Sequence, residues 1–293
     1  MLNRQTPMDQ AAGLRKLSRQ RPVRVITVTS GKGGVGKTNV SVNLAMDLIN
    51  SGKEVMIMDA DLGLANVDVL LGLHPRFNLS HVVNGDMSLE DIILEGPGGL
   101  KLVPAASGAQ SMAGLTPTQH AAIIRAFSEL NQNLDVLIVD TAAGISDSVI
   151  TFSKASQEVI VVVCDEPASI TDAYALIKVM NREHGLHRFR ILANMVSNED
   201  QGRSLYEKIA RVTDRYLYVE LDYMGIIPYD PALRKAVQQQ SAVVNLYPDS
   251  ASAKAFHELA VKTERWPSPR SGGHLEFFAE RLLQQGYLEA GAW

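Results

Sequence analysis

The sequence of 293 residues holds a single cysteine, Cys164, so no intrachain disulfide can form and no intrachain thiolate pair can carry a metal. Such usage suits a reducing, cytosolic compartment. No stretch approaches the roughly eighteen consecutive apolar residues of a membrane span, and the first residues lack an apolar signal core. Neither spanning a bilayer nor export is therefore expected. Internal repeats, low-complexity segments and a linker are missing between residues 23 and 265. Cations are outnumbered, with 28 Lys and Arg against 32 Asp and Glu for a net charge of −4, but the deficit is uneven. Residues 1–24 hold Arg4, Arg15, Lys16, Arg19, Arg21 and Arg24 against Asp9, a local +5 that leaves −9 on the remainder. A basic tail on an acidic body suits nucleic acid, anionic lipid or an acidic protein groove, and equally a solvated arm. What remains is long enough for one large α/β domain or two small ones with a substantial core.

The most informative stretch is Thr29-Ser-Gly-Lys-Gly-Gly-Val-Gly-Lys-Thr-Asn39, which follows an apolar run and opens a helical pattern. Its spacing from Gly31 to Gly36-Lys37-Thr38 is that of a phosphate loop. Glycines remove β-carbons so that successive N–H groups and a helix N-terminus can hold an anionic phosphate chain. Lys37 supplies a point charge to the outer phosphates, and Thr38 supplies a hydroxyl for Mg²⁺. Gly31, Gly33 and Gly36 also read G-x-G-x-x-G, with Asp59 ending the next apolar run, as in a dinucleotide fingerprint. Lys37 and Thr38 favour a nucleoside triphosphate, since the nicotinamide fold uses neither, and a further apolar run ends in an acid at Asp140. A glycine-rich turn with an exposed lysine is the bland alternative.

From residue 23 the hydrophobic pattern predicts strands at 23–29, 54–59, 100–103, 135–140, 158–164, 189–194 and 224–227. Helices are predicted at 39–50, 118–131, 146–156, 168–182 and 203–216, then from 230 through 240 and over 250–265. This alternation implies an α/β fold: a doubly wound, mostly parallel sheet with helices on both faces and ligands at the carboxyl ends of the strands.

Lys32, a second lysine inside the loop, makes Gly-Lys-Gly-Gly-Val-Gly-Lys-Thr resemble the deviant Walker A motif of the MinD/ParA ATPases. The resemblance covers roughly residues 23–265 and implies a slow ATP hydrolase that dimerises on ATP and Mg²⁺, with Lys32 reaching the partner's nucleotide. It makes Gly31, Lys32, Gly33, Gly34, Val35, Gly36, Lys37, Thr38 and Asn39 the phosphate-side contacts. Asp59-Ala-Asp61-Leu-Gly-Leu-Ala-Asn-Val-Asp68 resembles the family's switch I, which casts Asp59 as metal support and Asp61 as the residue orienting the attacking water. Asp68 reads as a helix cap. Val136-Leu-Ile-Val-Asp140-Thr-Ala-Ala-Gly144 has the form of a Walker B strand and switch II, implying that Asp140 holds magnesium and the Gly144 N–H senses the γ-phosphate. MinD-like sequences usually carry proline where Ala142 stands. Asn194 and the segment Pro228-Tyr229-Asp230 fall where the family lines its adenine, and no Asn-Lys-x-Asp guanine motif is present, which favours ATP over GTP.

Four segments follow: a basic tail at 1–22, the ATPase domain at 23–265, a hinge at 266–273 rich in Pro, Ser and Gly, and an amphipathic helix at 274–293. In the tail, Met8, Ala11, Ala12, Leu14 and Leu17 fall near helical spacing, and Asp9-Gln-Ala-Ala-Gly-Leu-Arg15 resembles the N-terminal motif of the FlhG/FleN flagellar-number regulators in the MinD branch. That resemblance implies control of flagellar number through a flagellar transcriptional activator and a signal-recognition-type flagellar GTPase, with Asp9, Gln10, Leu14 and Arg15 meeting the partner. The terminal helix carries Glu276, Glu280 and Glu289 against Arg281, unlike the basic membrane helix of MinD, so docking on the body, membrane contact and a partner protein are all open. A cytoplasmic protein, peripheral at the inner membrane or cell pole when bound there, is expected. The alternatives are a division-site MinD and a ParA-type DNA segregation ATPase, against whose duplex binding the acidic body argues. A metabolic or metal-carrier ATPase of the superfamily is a third, and the single cysteine denies it an intrachain cysteine pair.

Overall fold

A computed structural model describes residues 23–61, 66–105, 126, 127, 130 and 133–267. The expected tail at 1–22, the hinge and helix after 267, and nearly all of the helix expected at 118–131 lie outside these residues.

Eight strands form one sheet in the order β3-β4-β2-β5-β1-β6-β7-β8. They are β1 (Arg24–Ser30), β2 (Val55–Ala60), β3 (Leu94–Glu95), β4 (Lys101–Val103), β5 (Val136–Ala143), β6 (Glu158–Val163), β7 (Arg188–Val196) and β8 (Glu220–Pro228). All neighbours run parallel except the β3–β4 pair. Strand alternation builds a core on each face: Ile26, Val28, Ile57, Ile160 and Val162 join one layer, and Val25, Met56, Met58, Val159 and Val161 face the other way. Both faces are apolar because helices cover both, as parallel crossovers require.

The principal helices are α1 (Lys37–Asn50), α5 (Asp147–Ala155), α6 (Pro167–Arg182), α7 (Glu199–Tyr216), α8 (Pro231–Gln238) and α10 (Ala251–Glu264). Three of them, α7, α8 and α10, start at a side chain that caps the first turn. Asn198 accepts the Gln201 N–H at 2.9 Å before α7, and Ser250 accepts the Ala253 N–H at 3.2 Å before α10. Short helices α3 (Leu79–Val83), α4 (Leu89–Ile92) and α9 (Val243–Leu246) fill connections where no helix is expected from the sequence, and α2 (Val67–Leu71) is the helix signalled by Asp68, with Asn66 rather than Asp68 at its N-cap. The last strand begins at Glu220 rather than 224, because its first half is only partly buried and carries a weaker apolar signal.

Strand β1 is the pivot: the chain leaves it through α1 for β2 on one side, while β6 lies on its other side. The crevice at its carboxyl end is the position where doubly wound folds place ligands. At its opposite end the Arg24 guanidinium donates to the carbonyls of Thr263, of Trp266 at 2.9 Å and of Pro267 at 3.1 Å, tying the end of α10 and the residues after it to the start of β1. Arg190, buried on β7, completes this clamp with Glu158 at 2.8 Å, Asp222 at 2.9 Å and the Trp266 ring 3.9 Å from its guanidinium carbon.

Candidate functional site

The loop between β1 and α1 takes its shape from its glycines in two different ways. Gly34 and Gly36 have φ of 79° and 89°, the left-handed region that side chains avoid. Gly31 is needed for proximity, since a β-carbon there would stand 2.2 Å from the Asp172 carbonyl carbon on α6. Val35 is buried beneath the loop, and its carbonyl accepts from Asn194 Nδ2 at 2.7 Å. The side-chain oxygen of Asn39, in the first turn of α1, is buried without a hydrogen-bond partner.

Parallel pairing of β2 with β5 sets Asp59 directly opposite Asp140, and β1 lies on the other side of β5. Asp140 accepts from the Ser41 hydroxyl at 2.8 Å and from the Thr38 hydroxyl. Thr38 and Ser41 are three residues apart on α1 and so share the face turned to Asp140. Burial pushes the Asp140 carboxyl up to about 6, against the pull of Ser41, Thr38 and Lys37. Asp59 is pushed up to about 7 by burial and by the Asp140 charge, although three backbone N–H groups donate to it. Those donors are Asp61 at 3.0 Å, Asn66 at 3.1 Å and Val67 at 3.3 Å, so Asp59 organises the turn after β2. Asp68 lies in the first turn of α2, its carboxylate accepting the Val69 N–H at 2.8 Å. Burial lowers the Lys37 ammonium from the ordinary lysine range, while the neighbouring Asp140 and Asp61 charges oppose that fall.

The second loop lysine points elsewhere. Lys32 Nζ sits 2.7 Å from Glu166 Oε2, at the N-cap of α6, and this contact raises its pKa. Gly144, at φ 96°, donates its N–H to the carbonyl of Ser30, the last residue of β1, at 2.9 Å, so the N–H expected to sense a γ-phosphate is engaged by β1 in this structure.

At the expected base side, Asn194 is 2% exposed and both ends of its amide are engaged: Nδ2 by Val35 and Oδ1 by the Met195 N–H at 2.9 Å. Asp230 caps α8, accepting from the Ala232 N–H at 2.8 Å, from the Ser252 N–H at 3.0 Å and from the Ser252 hydroxyl at 2.8 Å. Burial raises its pKa, but these donors outweigh that and hold it below the usual carboxylate range. Asp230 thus ties α8 to α10. Pro228 ends β8, and Tyr229 beside it is largely exposed. Ser41, Glu166 and Met195 were not among the residues singled out from the sequence. Ser41 could have been found from its three-residue spacing to Thr38, whereas Glu166 and Met195 have no local signature.

The structure therefore brings the loop, Thr38, Asp59, Asp61 and Asp140 to one crevice, with the segment from Pro228 to Asp230 at its flank. Residues 22–264 match the family described as ParA, NUBPL iron-transfer P-loop NTPase. Over 272 residues the chain is 59% identical to the antiactivator FleN of Pseudomonas aeruginosa, covering 92% of this chain and 97% of that protein. It is 33% identical over 268 residues to the flagellum site-determining protein YlxH of Helicobacter pylori, covering 89% and 90%. Among solved structures, the septum site-determining protein MinD of Pyrococcus horikoshii, complexed with Mg-ADP, aligns with a TM-score of 0.66 at 26% identity, covering 83% of this chain and 96% of that one. Loop, paired strand-end acids, sheet order and sequence agree, and the chain belongs to the ParA/MinD family of P-loop NTPases.

Proposed function

We propose that this chain is an ATP-switched, dimerising regulator of flagellar number. The observation that carries this reading is the 59% identity to the antiactivator FleN across nearly the whole of both chains. ATP is the nucleotide, cradled by residues 31–39, with Lys37 on its outer phosphates. The oxygens of Thr38, Asp59 and Asp140 are the hard donors that suit Mg²⁺, and the carboxylates of Asp59, Asp61 and Asp140 outnumber the Lys37 ammonium. Mg²⁺ at this set would neutralise charge on the phosphates. Asp59 shapes the turn that carries Asp61, and Asp61 orients the water for in-line attack. Lys32 leaves Glu166 to reach the nucleotide of a second copy, and Gly144 leaves Ser30 when a γ-phosphate arrives.

Binding of ATP then supplies the free-energy difference between monomer and dimer. Residues 23–265 form the switching body, and the dimer holds a flagellar transcriptional activator. Residues 1–22 act as an activator segment on a signal-recognition-type flagellar GTPase, through Asp9, Gln10, Leu14 and Arg15. Residues 266–273 are the hinge for residues 274–293, which contact the membrane or a partner from a cytoplasmic protein. Both terminal segments attach at the Arg24 end of β1, about 20 Å along the strand from the loop, so they can be engaged without covering the nucleotide. Among the described residues no helix is long and apolar enough to cross a membrane.

Complementation tests this reading. The chain should restore the flagellar number of a Pseudomonas aeruginosa strain lacking FleN, and its Lys37→Ala variant should fail. Flagellar number left unrestored by the stably expressed chain would count against it.

A further inference from the structure

Two hydrogen bonds close the end of α8: the Gln240 N–H donates to the Val237 carbonyl at 3.0 Å, and the Ser241 N–H donates to the Ala236 carbonyl at 3.1 Å. This pair puts Gln240 at the position after a helix where the chain turns left-handed, and its φ is 51°. Glycine is the usual residue there because it takes that conformation without strain. Ending the helix therefore does not account for a glutamine.

The side chain supplies the missing reason. Gln240 Nε2 donates to the carbonyl of Val69 on α2 at 3.1 Å. Gly72, which ends α2 at φ 65°, lies against this amide, since a β-carbon there would stand 3.2 Å from Gln240 Oε1 and 3.5 Å from its Cβ. The start of α2 is tied to Asp59, whose Oδ2 accepts the Asn66 and Val67 N–H groups while its Oδ1 accepts the Asp61 N–H. One short helix thus spans two ties, Asp59 at one end and Gln240 at the other. Its Leu70 and Leu71 belong to the same core as Ala236 of α8. Helix α8 is itself anchored, because Asp230 caps its start and accepts the Ser252 hydroxyl of α10.

We infer that Gln240 is a positioning residue for ATP hydrolysis, holding the far end of α2 so that the turn on Asp59 presents Asp61 to the phosphate loop in one arrangement. It acts through α2 and Asp59. The inference rests on the reading of Asp61 as the residue that orients the attacking water.

Turnover at saturating Mg-ATP and nucleotide affinity, measured on full-length variants, test this. Gln240→Gly removes the amide and suits the left-handed backbone, so its melting temperature should match or exceed that of the wild type. Its kcat should fall about fivefold, the scale of one lost hydrogen bond, with ATP affinity within about twofold. Gln240→Glu keeps the length, but an ionised carboxylate cannot donate to the Val69 carbonyl, and it should lose as much. Gln240→Lys, which keeps a donor at similar reach, should retain about half of the wild-type kcat or more. Wild-type kcat in Gln240→Gly would overturn the inference. Weaker ATP binding at unchanged kcat would overturn it too, as would a changed mass with a non-hydrolysable ATP analogue, which would place the effect in the dimer. Wild-type turnover by Asp61→Ala would instead overturn the reading of Asp61 on which it rests.

Discussion

Asp59 and Asp140 face each other across the β2–β5 ladder, each buried, with their pKa values pushed up to about 7 and about 6. Two carboxylates so placed oppose each other's ionisation, which destabilises the free protein and prepares the site for a cation.

A thermal consequence follows for Asp140. Its pKa is raised on folding, so its contribution favours the folded state at low pH and is lost as pH rises through about 6. Asp140→Asn, which can still accept from Ser41, should raise the melting temperature of the nucleotide-free protein by several °C at pH 8. The gain should be roughly halved at pH 5 and vanish only below the ordinary carboxylate value of 3.8. Melting curves at the two pH values check this, and hydrolysis should be lost throughout.

Asp61 and Lys37 should separate chemistry from binding. Asp61→Ala should abolish most ATP hydrolysis while leaving nucleotide binding and dimerisation near wild type. Lys37→Ala should weaken nucleotide binding itself, because it removes the buried cation beside Asp140 and Asp61. Phosphate-release assays paired with nucleotide titrations distinguish the two, and wild-type turnover by Asp61→Ala would refute its assigned role.

Glycines that look alike in the loop should differ in folding cost. Gly31→Ala places a methyl 2.2 Å from backbone on α6, so urea unfolding should show a loss of about 2 kcal/mol or more. Gly33 has nothing within 4 Å of its β-carbon position and no left-handed φ, so Gly33→Ala should leave stability within about 0.5 kcal/mol. Equal losses would contradict the close approach of loop and α6.

Much of this was legible in the sequence because local chemistry dictated it. The phosphate loop, the helix after it and the apolar strands ending at Asp59 and Asp140 each carry their own signal over a few residues. The short helices between 79 and 92 do not, since five-residue elements show too little period, and the two-residue edge strand β3 shows none. Tertiary partners were also hidden. Asp230 and Asn194 look like free polar groups at strand ends until Ser252, Ala232 and Val35 are brought to them from distant positions. Arg190 carries no sign in the sequence of the Glu158, Asp222 and Trp266 that bury it.

The Lys32–Glu166 pair is short, but its side chains are 39% and 61% exposed, so it adds little to stability. Lys32→Ala should melt within about 1 °C of wild type and still bind ATP, while losing the rate that depends on the dimer. A large drop in melting temperature would make Lys32 a structural residue instead.

The switch is tested most directly by light scattering on the full chain, without nucleotide and with Mg²⁺ and a non-hydrolysable ATP analogue. The expected result is a monomer that doubles in mass with the analogue, and a Lys32→Ala variant that does not. The same mass in both conditions for the wild-type chain would contradict the switch.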